Sequence, residues 1–238
     1  MNVIAFDTCF GACSAAILWR DAASGTGGAE HLAWRYEEMA TGQAERLVPM
    51  IDEVLLQSGR SLESLDAIAV TTGPGTFTGI RVGVAAARGL ALATGLPIRA
   101  TTSLHVLAHG ALAKLGPLAA ETTLAVCMDA RAGQIFFQTF DGANGDPTSD
   151  AAVMTPDVAA GVQPKTPLVC IGSGAAALAE AAARAGRAAT VELATLQPDA
   201  RILAHIAAKL PVSERLAPIY LRQPDAKPQI GKSLPRAR

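Results

Sequence analysis

The run Gly73-Pro74-Gly75-Thr76-Phe77-Thr78-Gly79, followed by Ile80-Arg81, carries the clearest chemical potential in this sequence. Its glycines expose backbone N–H groups, and it leads into a helical pattern whose N-terminus favours an anion. Arg81 adds a cation. The run lacks the Lys and Ser/Thr of a Walker A loop and the spacing of a dinucleotide fingerprint. The other reading is a tight strand-to-helix connection that uses glycine for positive φ. Asp7 and Asp129 each end an apolar stretch, Val3 to Asp7 and Ala125 to Asp129, and Gly11 and Gly133 each follow four residues later. Such aspartates can hold Mg²⁺ or orient water in a nucleotide cleft. Phosphate-hugging turns want small residues after the Asp. Thr8-Cys9 follow Asp7, but Ala130-Arg131 follow Asp129, which argues against a working ATP site in the second turn.

His105 and His109 have the i, i+4 spacing of a metal pair. Leu104, Leu107, Ala108, Ala111, Leu112 and Leu115 define a separate apolar stripe, so the histidines are expected to face solvent in a structural role. No metal site is expected. No Ser-His-Asp, Cys-His or paired-carboxylate motif is recognisable. Cys9, Cys13, Cys127 and Cys170 form no C-x-x-C pair and read as buried thiols of a reducing compartment.

The elements that position these residues alternate between strand and helix. Val3 to Asp7 and Ala12 to Trp19 read as a hairpin, with a third strand over His31 to Tyr36 after a Gly-rich loop at 21–29. Gln43 to Gln57 has helical spacing, and Pro49 inside it predicts a kink or a late start. A strand over Ala67 to Thr72, the glycine run, a helix to Ala93 and a strand over Pro97 to Ala100 make a βαβ unit. Ser103 is expected to cap a helix to Leu115. A second hairpin covers Thr123 to Asp129 and Gln134 to Phe140. Then come a strand at Leu168 to Ile171, a helix at Ala175 to Ala185, a helix at Pro198 to Leu210 and a strand at Pro218 to Leu221. The recurring strand-Asp-turn-strand unit points either to two related halves or to two ordinary hairpins with Asp and Gly in their turns. The small residues Gly79, Gly83, Ala86, Ala87 and Leu90 form one helical stripe, suited either to tight internal packing or to another subunit's helix.

Composition agrees with a packed domain. Half of the 238 residues are hydrophobic, 17% are charged and 4% aromatic, which excludes a disordered chain. No apolar run reaches the ~20 residues of a membrane span. The net charge of −1 excludes a generic polyanion binder. The first residues lack a basic n-region, and a cytoplasmic protein is expected.

Four segments together resemble the TsaB (YeaZ) family of tRNA threonylcarbamoyladenosine formation. They are Ile4-Ala5-Phe6-Asp7-Thr8, the run Gly73 to Arg81, Met128-Asp129-Ala130-Arg131, and Pro218-Ile219-Tyr220-Leu221-Arg222. The resemblance implies an α/β, actin-like ATPase (ASKHA) fold. Its two related halves each have a mixed sheet with flanking helices, and the second is reduced. Residues 1–103 are expected to form the first half. Residues 104–222 form the second, with its last helix and strand returning to the first, and 223–238 form a flexible basic tail. The implied role is a non-catalytic subunit that supports the catalytic TsaD, with the ATPase TsaE, in placing threonylcarbamoyl on N6 of the adenosine beside the anticodon. No cofactor is expected, with nucleotide admitted only at the complex interface. tRNA is reached only through the complex, and the chain alone can form a homodimer. The alternatives are an ATP-using enzyme of the sugar-kinase class or a metallopeptidase. The family pairs through the helices carrying Leu47, Met50, Ile51 and Val54, and Gly79, Arg81, Gly83, Ala86, Ala87 and Leu90, which are the expected partner contacts. Asp7, Thr8, Gly73, Gly75 and Asp129 are expected as a vestigial phosphate loop. The metal-binding histidines of catalytic relatives map to Ser103 and Leu107, and Gln43 stands where many members have His.

Overall fold

A computed structural model describes residues 1–21, 28–162 and 165–222. The core of the 21–29 loop and the 223–238 tail lie outside these described residues. The chain forms two five-stranded sheets. In the first, β1 (Val3–Asp7) pairs antiparallel with β2 (Ala12–Arg20), which pairs antiparallel with β3 (Glu30–Glu38). On its other side β1 pairs in parallel with β4 (Ala67–Thr71), and β4 with β5 (Ile98–Thr101). The second sheet joins β6 (Thr123–Asp129), β7 (Ile135–Asp141), β8 (Ala152–Met154), β9 (Leu168–Ile171) and β10 (Ala189–Glu192).

The second sheet repeats the first strand for strand. The orders are β3-β2-β1-β4-β5 and, read from the corresponding edge, β8-β7-β6-β9-β10. Register repeats too: Val3 at the start of β1 faces Ala67 at the start of β4, and Thr123 at the start of β6 faces Leu168 at the start of β9. Two unrelated hairpins would not share order, direction and register, so the two-halves reading holds. The second half is reduced in its helices. α1 (Gln43–Ser58) and α2 (Phe77–Thr94) have 16 and 18 residues, whereas α4 (Pro156–Ala160) and α5 (Ala175–Arg184) at the equivalent places have 5 and 10. α3 (Ser103–Leu115) packs against β6 and β7 of the second sheet, and α6 (Ala200–Ile206) packs against β1 and β2 of the first.

The central strands are apolar on both faces because both faces are covered. Ile4 and Phe6 of β1 join a cluster with Leu47, Met50 and Ile80, which continues to Leu104 of α3 and Leu124 and Phe140 of the second sheet. Val3 and Ala5 point the other way, to Leu203 of α6. At the sheet edge Arg46 clamps β3 to α1 through Glu37 and Glu53.

Several local expectations need correction. α1 begins at Gln43, as its periodicity predicts, so Pro49 does not delay its start. The cap of α3 is Thr102, whose hydroxyl accepts the His105 N–H at 3.0 Å, and Ser103 is already helical. Pro218 to Leu221 is irregular chain and not a strand; Ile219 N–H instead donates to Thr72 O. The short elements β8, α4 and β10 carry too few residues for a periodic signal.

The glycines of the run serve close approach. A Cβ on Gly79 would collide with the carbonyl oxygen of Thr8, and one on Gly75 with that of Cys9. Gly89, on the outer face of the same helix, has nothing within 4 Å of a Cβ. Gly79→Ala is therefore expected to destabilise the fold by about 2 kcal/mol through overpacking. Gly89→Ala is expected to stabilise it by about 1 kcal/mol through helix propensity. Urea unfolding of both variants checks the pair of opposite signs.

Candidate functional site

Asp7 closes β1 with a carboxylate that is fully buried. Its Oδ1 accepts the Cys9 N–H at 3.1 Å and its Oδ2 accepts the Thr71 hydroxyl. Burial pushes its carboxyl up to about 6, against the opposing pull of those hydrogen bonds. The same burial, with the Asp7 charge nearby, pushes the Cys9 thiol well up, so this thiol is a packing group and not a nucleophile.

The glycine run lies directly on this turn. Thr8 Oγ1 donates to Gly79 O at 2.6 Å, and the Thr76 N–H donates to Cys9 O at 2.7 Å. Thr76 Oγ1 accepts the Gly79 N–H and so caps α2 from within. The neighbouring Gly11 N–H donates to Gln197 Oε1 at 2.9 Å. These three backbone donors are thus committed inside the chain. Gly73 sits at φ 106, so it serves the backbone turn. Asp7, Thr8, Gly73 and Gly75 form a packed joint between β1, β4 and α2.

Asp129 occupies the matching place in the second half but is exposed. Its carboxylate accepts the Arg131 N–H at 2.9 Å, and its own N–H donates to Ser173 Oγ at 2.9 Å. It lines a cleft of about 480 Å³ between the halves, and Asp7 does not. The structure therefore does not bring the two aspartates into one site.

That cleft has an apolar floor and a cationic rim. Phe10 and Phe136 meet with ring centroids 6.1 Å apart. Phe77 and Tyr220 stand at the mouth, 5.5 Å apart, each 44% exposed. The Arg81 guanidinium lies 3.5 Å from the Phe77 ring centroid, and its Nε donates to Tyr220 Oη at 2.8 Å. Arg131 and Arg222 line the far wall, with Arg222 Nη1 donating to Ala130 O at 2.5 Å. Residues 219–222 thereby tie the first sheet to the turn of the second. The four aromatics belong to segments far apart in sequence, and only the folded chain gathers them. The sequence signals for the site are the Gly73 to Arg81 run, which holds Phe77, the Met128 to Arg131 segment and the Tyr-Leu-Arg segment, while nothing local marks Phe10 or Phe136.

The expected partner contacts divide by helix face. Leu47, Met50, Ile51 and Val54 are buried within the chain, as are Gly79, Gly83 and Ala87. A Cβ on Gly83 would lie 3.0 Å from Thr8 Oγ1. These residues fill the first half's own core because the apolar stripe of each helix is spent on the sheet beneath. Ala86 and Leu90 are half-buried, and Arg81 is exposed. The outer face carries Val48, Leu56 and Leu92, exposed by 57%, 83% and 91%.

The histidines are not solvent-facing. His105 and His109 sit half-buried, with their Nε2 atoms 3.0 Å apart and His105 Nδ1 2.7 Å from Thr101 Oγ1. His105 stacks on Phe140 of the second sheet, and burial pushes it down to about 4. The stripe argument failed because α3 packs on both halves. Ser103 Oγ donates to Pro74 O and Leu107 is in the core. Among the described residues, no group of three His, Cys, Asp or Glu is placed to hold a metal ion.

Asp7 sets a pH dependence. Its folded value lies above its unfolded one, so the folded chain holds the proton more tightly. The group's stabilising share is complete below about pH 4, is lost as the pH rises through about 6, and amounts to about 3 kcal/mol. The stability of the parent relative to Asp7→Asn should fall across that window and level off above it. Urea titrations of both chains at stepped pH measure this difference.

Relatives agree with the geometry. The family model described as TsaD, tRNA N6-adenosine threonylcarbamoyltransferase, matches residues 37–195. The chain is 36% identical over 140 residues to the tRNA threonylcarbamoyladenosine biosynthesis protein TsaB of Escherichia coli K12, covering 59% of this chain and 55% of that protein. For its Haemophilus influenzae counterpart the figures are 35% identity, 58% and 52%. The chain thus matches about half the length of these curated relatives. An uncharacterized protein of Mycobacterium tuberculosis, Rv3421c, is 31% identical with 79% of each chain covered. The structure of YeaZ from Pseudomonas aeruginosa superposes with a TM-score of 0.76 at 28% identity, covering 92% of this chain and 99% of that one. The repeated five-stranded sheets, the glycine run packed on the Asp7 turn and these relatives together make the chain a member of the TsaB/YeaZ family, within the wider group that the threonylcarbamoyltransferase model describes.

Proposed function

We propose that this chain is a non-catalytic binding subunit that supports a TsaD-type catalytic partner in transferring threonylcarbamoyl to N6 of the adenosine beside the anticodon. The names of its relatives support a role in tRNA threonylcarbamoyladenosine formation. The observation that carries the non-catalytic part is the sealed Asp7 carboxylate. Fully buried, with Thr71 and Cys9 each bonded to one oxygen, it presents no solvent-accessible position for a metal or an attacking water. Asp129 lies exposed with no second carboxylate among the residues that line the cleft.

The partner surface in this reading is the outer face of α1 and α2. Val48, Leu56 and Leu92 are large apolar side chains, and Ala85 and Gly89 beside them let another helix approach closely. A TsaE-type ATPase joins the same complex in the cytoplasm. Without its partner, the face can pair with a second copy of the chain.

Co-purification with the TsaD-type subunit, with tRNA modification assayed with and without this chain, tests the reading. The chain alone should show no ATP hydrolysis, and modification should depend on its presence. Robust hydrolysis by the isolated chain, abolished in Asp7→Ala, would promote the sugar-kinase alternative. Leu92→Arg should leave the unfolding midpoint within about 0.5 kcal/mol of the parent, as exposed positions do, and lower partner affinity at least tenfold. Gly83→Arg is a poor probe, since that position is buried against Thr8.

A further inference from the structure

We infer that the cleft between the halves is a docking site for an unpaired nucleotide segment of RNA, so that this chain touches the RNA itself. The inference deepens the proposed function, on which the choice of RNA over another polyanion rests.

Three observations converge on the site. Tyr220 and Phe77 present partly exposed rings at the mouth, one face of Phe77 being covered by Arg81, in a protein with few aromatics. Unpaired bases stack on such faces whatever their sequence. Arg131 lines the opening and Arg81 stands at its mouth on Phe77 and Tyr220, against Asp129, the one carboxylate among the described lining residues, so these groups carry a net positive charge within a chain of net charge −1. The charge is local where the overall balance hides it. The cleft volume of about 480 Å³ lies in the range of small-ligand sites. The apolar Phe10–Phe136 floor gives a base somewhere to go, and the arginine rim meets the phosphates on either side.

An acidic peptide would match the charge but leave the aromatic faces unused. The mouth lies at the N-terminal end of α2, and the Phe77–Arg81–Ala85 stripe runs on into the outer face proposed for the partner. RNA held here would therefore lie alongside that partner.

The test measures fluorescence anisotropy of a labelled single-stranded oligoadenylate RNA with the full chain at low salt. Each variant's melting temperature is recorded first. Binding is expected, about tenfold weaker in Tyr220→Ala and Phe77→Ala and retained in Tyr220→Phe, which keeps the ring. Arg131→Gln should weaken binding severalfold and reduce the slope of log affinity against log salt by about 0.7. Because Arg131 lies on an exposed turn, this variant keeps the test valid if Tyr220→Ala melts early. The inference is overturned if the parent fails to bind, or if the folded variants bind as the parent does. It is equally overturned if polyglutamate or free AMP competes as well as the RNA. Loss of binding only on replacing Lys227, Lys232, Arg236 and Arg238 by Gln would assign the contact to the tail and also refute it. No partner is present in this assay and no RNA in the association assay, so the two readings fail separately.

Discussion

Backbone-to-backbone contact between the Asp7–Cys9 turn and the glycine run sets the limits for everything else. Gly75 and Gly79 bring α2 so close to β1 that no side chain fits between them. The approach lets Thr8 reach the Gly79 carbonyl and lets the Thr76 N–H reach Cys9 O. It also buries Asp7 completely, with Thr71 as its neutral partner. A charge without a counter-ion in such a place is costly, which is why its carboxyl titrates so high. The joint trades the openness of a phosphate site for rigidity at the centre of the first sheet.

Closing that joint moves the usable surface outward. With Gly11 engaged by Gln197 and Asp7 sealed, the accessible cleft is bounded instead by the glycine run's outer edge, the Asp129 turn and residues 219–222. That last segment has no regular structure, yet it bonds to Thr72 on one side and to Ala130 on the other. It is held by both halves, so the cleft's shape depends on their relative position. α3 and His105 couple the halves at a second place, through the stacking on Phe140.

The two long helices of the first half show how one stripe can serve two readings. Their inward residues, Leu47 to Val54 and Gly79 to Ala87, have the pattern of an interface, because helix packing within a chain and between chains follows the same rules. What separates the two is which face meets the sheet. The outer residues Val48, Leu56 and Leu92 have little pattern in sequence, yet they are the large apolar side chains most exposed on these two helices.

The sequence by itself determined the strand-and-helix order, the repeat of a strand ending in Asp, and the family resemblance. These rest on local periodicity and on motifs within a few residues of one another, such as Gly73 to Arg81. Short elements such as β8, α4 and β10 escaped it, because they span less than a period's worth of evidence. Only the tertiary structure decided that Asp7 is sealed while Asp129 is open, that His105 meets Phe140, and that Phe10, Phe77, Phe136 and Tyr220 share one cleft. Each of these depends on contacts between residues far apart in the chain, and burial, which sets charge state and access, is a property of the packed whole.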